Sequence, residues 1–186
     1  MSQLGGYTGI PRDALAHLSA GNTFARYNIP RAPIDAGDVA IGASGVMLST
    51  PIFLGAGETV TSLTFRSGAT ALATGTAHWF ALYSPDSTPA LIAQTADQGN
   101  AAWAANTTKT LALSSPQTLA RSGFYWAAVM VAASTVPTLV GARYFPAMVS
   151  GERNLAQTSG AALTTTAPAT IASPTAVHFV PVCVAT

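Results

Sequence analysis

Between Val39 and Val184 the apolar residues fall into short runs separated by Gly, Pro, Ser and Asp, and the longest of these runs, Phe124 to Ala133, is unbroken. It follows the turn signal Arg121-Ser122-Gly123 and is stopped by Ser134-Thr135 and then Pro137, which cannot donate to a sheet ladder. A run bounded in this way predicts a strand covered on both faces, in the middle of a sandwich. The charge-free window from Ser122 to Ala142 has the length of a membrane span, but Ser134, Thr135, Pro137, Thr138 and Gly141 fill its second half, so no membrane insertion is expected.

The other runs are read against this one. Val46 to Leu54 is apolar with Pro51 inside it, which predicts an edge strand or a bulge. Glu58 to Arg66 alternates with Leu63 and Phe65 on one face and Val60 out of phase. Thr76 to Ser84 is apolar on both parities, turns at Pro85-Asp86-Ser87 and predicts a hairpin with Ala90 to Thr95. Thr107 to Leu113 alternates with Leu111 and Leu113 inward, and Thr138 to Tyr144 is a further strand. Ser150 to Ser159 is polar, while Ala161 to Thr170 is too rich in threonine and alanine to assign. Ala176 to Val184 puts Val180, Val182 and Val184 on one face and Val177, Phe179 and Cys183 on the other, tying the last residues into a sheet. Strands of this length with almost no helical periodicity after residue 21 predict an all-β fold, a jelly-roll-like antiparallel β-sandwich of about eight strands.

Residues 1–38 read as a separate N-terminal assembly arm, and 39–186 as the β-sandwich domain. The arm holds three of the seven arginines, three of the five aspartates, and Pro11, Pro30 and Pro33. A short helix is predicted from Pro11 to Ala20, with Leu15 and Leu18 on one face and Gly21 after its end. Beyond it, Phe24 to Arg31 mixes aromatics with arginines, a composition enriched at protein interfaces. Arg12, Phe24, Arg26, Tyr27, Ile29 and Arg31 are therefore candidates to dock on a partner, the other reading being a cover over the chain's own sandwich.

Composition sharpens the picture. Only 8% of the 186 residues are charged, against roughly 25% in an ordinary globular chain. So little charge implies an exterior hidden by neighbours, and a homo-oligomer or lattice component is expected. Eight basic and seven acidic residues leave a formal charge of +1, which offers no footprint for nucleic acid. The single cysteine, Cys183, excludes an internal disulfide and a multi-cysteine metal site. Met-Ser-Gln-Leu-Gly-Gly lacks the features of a secretory signal, so synthesis in a cytoplasm is expected.

Chemistry is sparse. His17, His78 and His178 lie outside ligand spacing of one another, so no metal and no cofactor is expected. Gly42-Ala-Ser44-Gly45 falls short of a nucleophile elbow, and nothing pairs Asp86, Asp97, Glu58 or Glu152 for glycoside cleavage. No catalytic set is predicted. The loop from Ala96 to Asn106 carries Trp103, which either caps the sandwich or stacks on a sugar with Asp97, Gln98 and Asn100 binding its hydroxyls.

Several of these segments resemble a loose family of small β-sandwich virion proteins of tailed bacteriophages that infect actinobacteria. The likeness is carried by Trp79-Phe-Ala-Leu-Tyr83, by Ala96-Asp-Gln98 with Trp103-Ala-Ala-Asn-Thr107, and by Lys109-Thr-Leu-Ala-Leu113. It continues in Gly123-Phe-Tyr-Trp126, Val129-Met-Val-Ala-Ala133 and Pro137-Thr-Leu139, covering about half the chain from Thr50 to Gly141. The resemblance implies a non-enzymatic role on a virus particle. The expectation is a head decoration or cementing protein that contacts the major capsid protein or tail subunits, located in the virion after assembly in the host cytoplasm. The alternative is a minor tail or fibre protein binding host cell-surface glycan through the Trp103 loop.

Overall fold

The apolar run forms the middle of strand β8 (Gly123–Thr135), in which Tyr125 to Val131 are all buried. It is uninterrupted because both its faces are covered. Tyr125, Ala127, Val129 and Val131 enter one hydrophobic cluster, while Trp126, Ala128 and Met130 enter a second on the opposite side. β8 pairs antiparallel with β3 (Val46–Leu54) and with β5 (Ala73–Tyr83). β6 (Leu91–Gln94), β10 (Gln157–Ser159) and β11 (Thr175–Ala176) complete a six-stranded sheet ordered β11-β10-β3-β8-β5-β6.

The computed structural model describes residues 24–30, 35–144 and 147–186, and over these the chain is antiparallel β with no helix. The helix expected over Pro11 to Ala20 lies outside the described residues. Opposite the six-stranded sheet stand two smaller ones. β1 (Arg26–Tyr27), β13 (Cys183–Ala185), β4 (Thr59–Arg66) and β7 (Thr108–Thr118) form a four-stranded sheet in the order β1-β13-β4-β7. β12 (Phe179–Pro181), β9 (Thr138–Arg143) and β2 (Asp35–Ala40) form a three-stranded one. Leu63, Phe65, Leu113, Leu139 and Cys183 from this layer meet Leu48, Ile52, Phe80, Leu82 and Val129 from the other in one core. Each fully buried large side chain there contributes roughly 1.5–3 kcal/mol.

Local departures from regular alternation have local causes. Val60 is buried alongside Leu63 and Phe65 because the β4–β7 register shifts between Val60 and Ser62, and a bulge reverses side-chain parity. Pro51 was expected at an edge, yet β3 lies inside its sheet. The proline is accommodated because β10 pairs only with Met47, Leu48 and Ser49, so the flank of β3 at Pro51 has no ladder partner on that side. The residues expected as one strand from Ala176 to Val184 divide instead into β11, β12 and β13, one in each sheet. The last dozen residues therefore stitch the three sheets together.

The threonine- and alanine-rich segment left unassigned forms no extended strand. Residues 160–174 cross the outer face of the six-stranded sheet and bury Ala167 and Ile171 against Met47, Trp79 and Tyr83. Sheet side chains hold its backbone. Trp79 Nε1 donates to Thr164 O at 2.7 Å, Tyr83 Oη to Pro168 O at 2.9 Å and Gln94 Nε2 to Thr165 O at 2.7 Å. Gly45 also belongs to this arrangement: with φ +73° it accepts from Leu163 N at 2.9 Å, in a conformation that suits glycine.

Candidate functional site

Three regions bear on function. The first is the segment that precedes the sandwich. Its described part, residues 24–30, lies on the chain's own body, where Arg26 and Tyr27 pair with Ala185 and Val184. Phe24 and Ile29 pack against the core, and the Arg26 guanidinium lies 5.2 Å from the centre of the Phe24 ring and forms an ion pair with Glu58. Asn28 fastens the segment: its Oδ1 accepts from Cys183 N at 2.8 Å, and its Nδ2 donates to Pro181 O at 2.8 Å and to Thr50 Oγ1 at 3.0 Å. Over 24–30 the cover reading describes the geometry, and β2 likewise pairs within the three-stranded sheet. Arg12 and Arg31 lie outside the described residues.

The second region is the Ala96 to Asn106 loop. Trp103 is 1% exposed, so the indole caps the core and leaves no face on which a sugar could stack. It meets Phe80 edge-on at 5.7 Å, stacks on His78 at 6.3 Å, and donates from Nε1 to Thr107 O at 3.3 Å. Asp97 is half-buried and occupied with the backbone, accepting from His78 N at 2.9 Å and Gly99 N at 3.2 Å. The Gln98 side chain bonds to Ala96 O at 3.1 Å, and Asn100 is exposed. What these residues build together is a buried polar knot around His78. Lys109 Nζ lies 3.0 Å from His78 Nε2 and donates to Ala102 O at 2.8 Å, with its charge 5.5 Å from the Trp103 ring centre. Burial lowers the pKa of both His78 and Lys109.

The third region escaped the reading of the sequence. Among the described residues the exposed large hydrophobic side chains are Phe53, Phe124, Met148, Val149 and Leu155. Phe53 and Phe124 are register partners on β3 and β8 whose rings meet edge-on at 5.4 Å. Arg153 lies over the Phe124 and Trp126 rings at 5.9 and 5.6 Å, and Leu155 anchors the same loop by accepting from Thr50 Oγ1 at 3.1 Å. The turn holding Met148 and Val149 is closed by Glu152, whose carboxylate accepts from Met148 N at 3.0 Å. Residues 152–154 form the wall between two clefts, one of about 590 Å³ beside Tyr144 and His178 and one of about 440 Å³ beside Trp126 and Gln157. The sequence held one signal for this patch, since Phe53 lies one residue before the end of one apolar run and Phe124 begins another.

The described residues contain no group of three or more His, Cys, Asp or Glu side chains able to hold a metal ion, and no described helix is long and apolar enough to cross a membrane. Ser44 of the near-miss elbow accepts from Ala133 N at 2.9 Å, a structural task. Cys183 is buried in the core, and burial pushes its thiol pKa up, so it stays protonated. Compared with family models and with curated proteins, the chain finds no match.

Proposed function

We propose that this chain is a structural protein of a tailed-bacteriophage particle, a decoration or cementing protein that assembles on the exterior of the head as a homo-oligomer in contact with the major capsid protein. The observation that carries the reading is the exposed aromatic pair at the β3–β8 end, Phe53 and Phe124, overlain by Arg153 of a loop whose Met148, Val149 and Leu155 are also exposed. In a chain with 8% charged residues, such a patch is where a neighbouring subunit gains most by covering the surface. The resemblance to virion sandwich proteins agrees with this, as does packing of one six-stranded sheet against two smaller ones, an arrangement suited to a jelly-roll-like sandwich. Arg12 and Arg31 add a second contact with the particle, and the role is non-enzymatic.

The test is fractionation. Purified virions separated into heads and tails should carry the chain in the head fraction, and its absence there would sink the decoration reading. The rival placement, a tail or fibre protein that recognises glycan, loses its proposed element because Trp103 is buried.

A further inference from the structure

We propose that Lys109 is a covalent modification site, an activated amine that takes the acyl group of a small acyl phosphate or thioester. It is the one lysine of the chain, the other seven of its eight basic residues being arginines. Arginine keeps its proton, whereas a partly buried lysine gives its proton up readily. Among the described residues Arg26 and Arg121 form ion pairs with Glu58 and Asp86, but no carboxylate pairs with Lys109. Asp97, the acid of the knot, is occupied by His78 N and Gly99 N. What faces Lys109 Nζ is neutral: His78 Nε2 at 3.0 Å, Ala102 O at 2.8 Å and the Trp103 ring, whose centre is 5.5 Å away. No opposite charge anchors the ammonium, and burial holds its pKa below the ordinary value of about 10.5.

The two hydrogen bonds suit an amine as well as an ammonium. Of the three N–H groups of the ammonium, one donates to His78 and one to Ala102. A neutral amine has two N–H groups, so it keeps both bonds, and its lone pair takes the third direction. Loss of the proton therefore breaks no contact. A base stands within reach of the nitrogen and is itself oriented, since His78 Nδ1 faces Gly99 O at 3.3 Å. In the transfer the Nζ lone pair forms the bond to the acyl carbon, and the phosphate or thiolate leaves with its bonding electron pair. The proton that Nζ must shed passes to His78 Nε2 and from there to solvent. The amide product has lost the charge and keeps one N–H for His78. Lys109 is half-buried, and Ala102, Thr108 and Thr110 around it are exposed, so a small donor reaches it from solvent.

This site is independent of where the chain sits on a particle. It is tested by treating the full chain with acetyl phosphate at about pH 7.5, with N-α-acetyl-lysine amide in the same tube as an ordinary lysine amine, and following both by mass spectrometry of peptides. Lys109 should be acetylated about tenfold faster than the reference amine, and its rate should reach half-maximum below about pH 10.5. Unfolding the chain in urea should bring Lys109 down to the reference rate. His78→Gln, which keeps an acceptor beside Nζ but no base, should slow acetylation of Lys109 about tenfold. Folded Lys109 reacting no faster than the reference, a half-maximum at the ordinary lysine value, or a folded His78→Gln acetylated as fast as the parent would each overturn the proposal. The urea comparison uses the parent alone, so an unfolded chain that reacts as fast as the folded one overturns it even if His78→Gln does not fold.

Discussion

Lys109 Nζ sits 3.0 Å from Nε2 of His78, and this contact fixes the proton on the other ring nitrogen, Nδ1, which faces Gly99 O at 3.3 Å. A cationic lysine has no lone pair to offer, so Nε2 must be the acceptor and the imidazole must be neutral. Burial holds the pKa of His78 below its ordinary value of about 6.5, and the Lys109 charge lowers it further against the opposing pull of Gly99 O and Asp97. At His78 the folded state therefore binds fewer protons than the unfolded chain, and the contribution of this group to stability is complete above about pH 6.5 and declines as the pH falls below it. The melting temperature should drop as the pH falls below about 6.5, and His78→Gln should flatten that part of the curve. An identical slope in the variant would place the acid sensitivity elsewhere.

Trp103 makes the same knot a matter of packing. Its indole is 1% exposed and touches Phe80 and His78 while lying under Lys109. Trp103→Ala should cost about 3–5 kcal/mol, the usual range for emptying a tryptophan site, and should lower the melting temperature whatever the chain binds. A variant with unchanged stability and impaired glycan binding would mean that the ring is exposed in solution.

What could be read in advance divides along physical lines. β8 and the β5–β6 hairpin were legible because a two-faced burial run and a Pro-Asp-Ser turn are properties of contiguous residues. The bulge behind Val60 was visible only as a phase error, since its cause lies on the partner strand, where several residues of β7 separate Ala112 from Gln117. The division of the last residues among three sheets could not be read, because strand pairing is a relation between distant segments, and Val177, Phe179 and Cys183 alternate just as one continuous strand would. Residues 160–174 were opaque because nothing in their own sequence anchors them; Trp79, Tyr83 and Gln94 do, from the sheet beneath. At the candidate site, burial of Trp103 was one of two weighed outcomes, whereas the Arg153 patch depends on β3, β8 and a loop meeting in space.

That anchoring is open to test at Gln94, whose Nε2 donates to Thr165 O at 2.7 Å and whose Oε1 accepts from Ala167 N at 2.6 Å. Gln94→Ala removes both bonds, each worth about 0.5–1.5 kcal/mol net. Hydrogen exchange should quicken across residues 164–170 while β8 keeps its protection. Uniform acceleration over the whole chain would show that the cover and the sheet open as one unit.

Gly141 tests the stitching by the last residues. A Cβ there would lie 2.1 Å from Val180 O, a backbone atom of β12 that cannot move without dragging its strand. Gly141→Ala should therefore push β12 off β9, and the overpacking should cost about 1–3 kcal/mol or more. Gly57→Ala, where a Cβ would meet nothing within 4 Å but φ is +80°, separates backbone strain from this clash. The Gly141 variant should be the more destabilised of the two in urea.

The exposed aromatic pair gives the most direct check on assembly. Phe53 is 52% exposed and Phe124 42% exposed, so much of each ring already lies in water in the lone chain. Replacing both by serine forfeits their mutual edge contact, worth about 0.5–1.5 kcal/mol, and removes no member of the buried clusters on the two faces of the sheet. If a neighbouring subunit covers these rings, the rest of their area is buried only on assembly, and each ring carries weight in binding that it lacks in folding. The double variant Phe53→Ser/Phe124→Ser should melt within a few degrees of the parent yet sediment as a smaller species and fail to join particles. Should it assemble normally, the patch is not the contact surface, and the role proposed for it falls with that result.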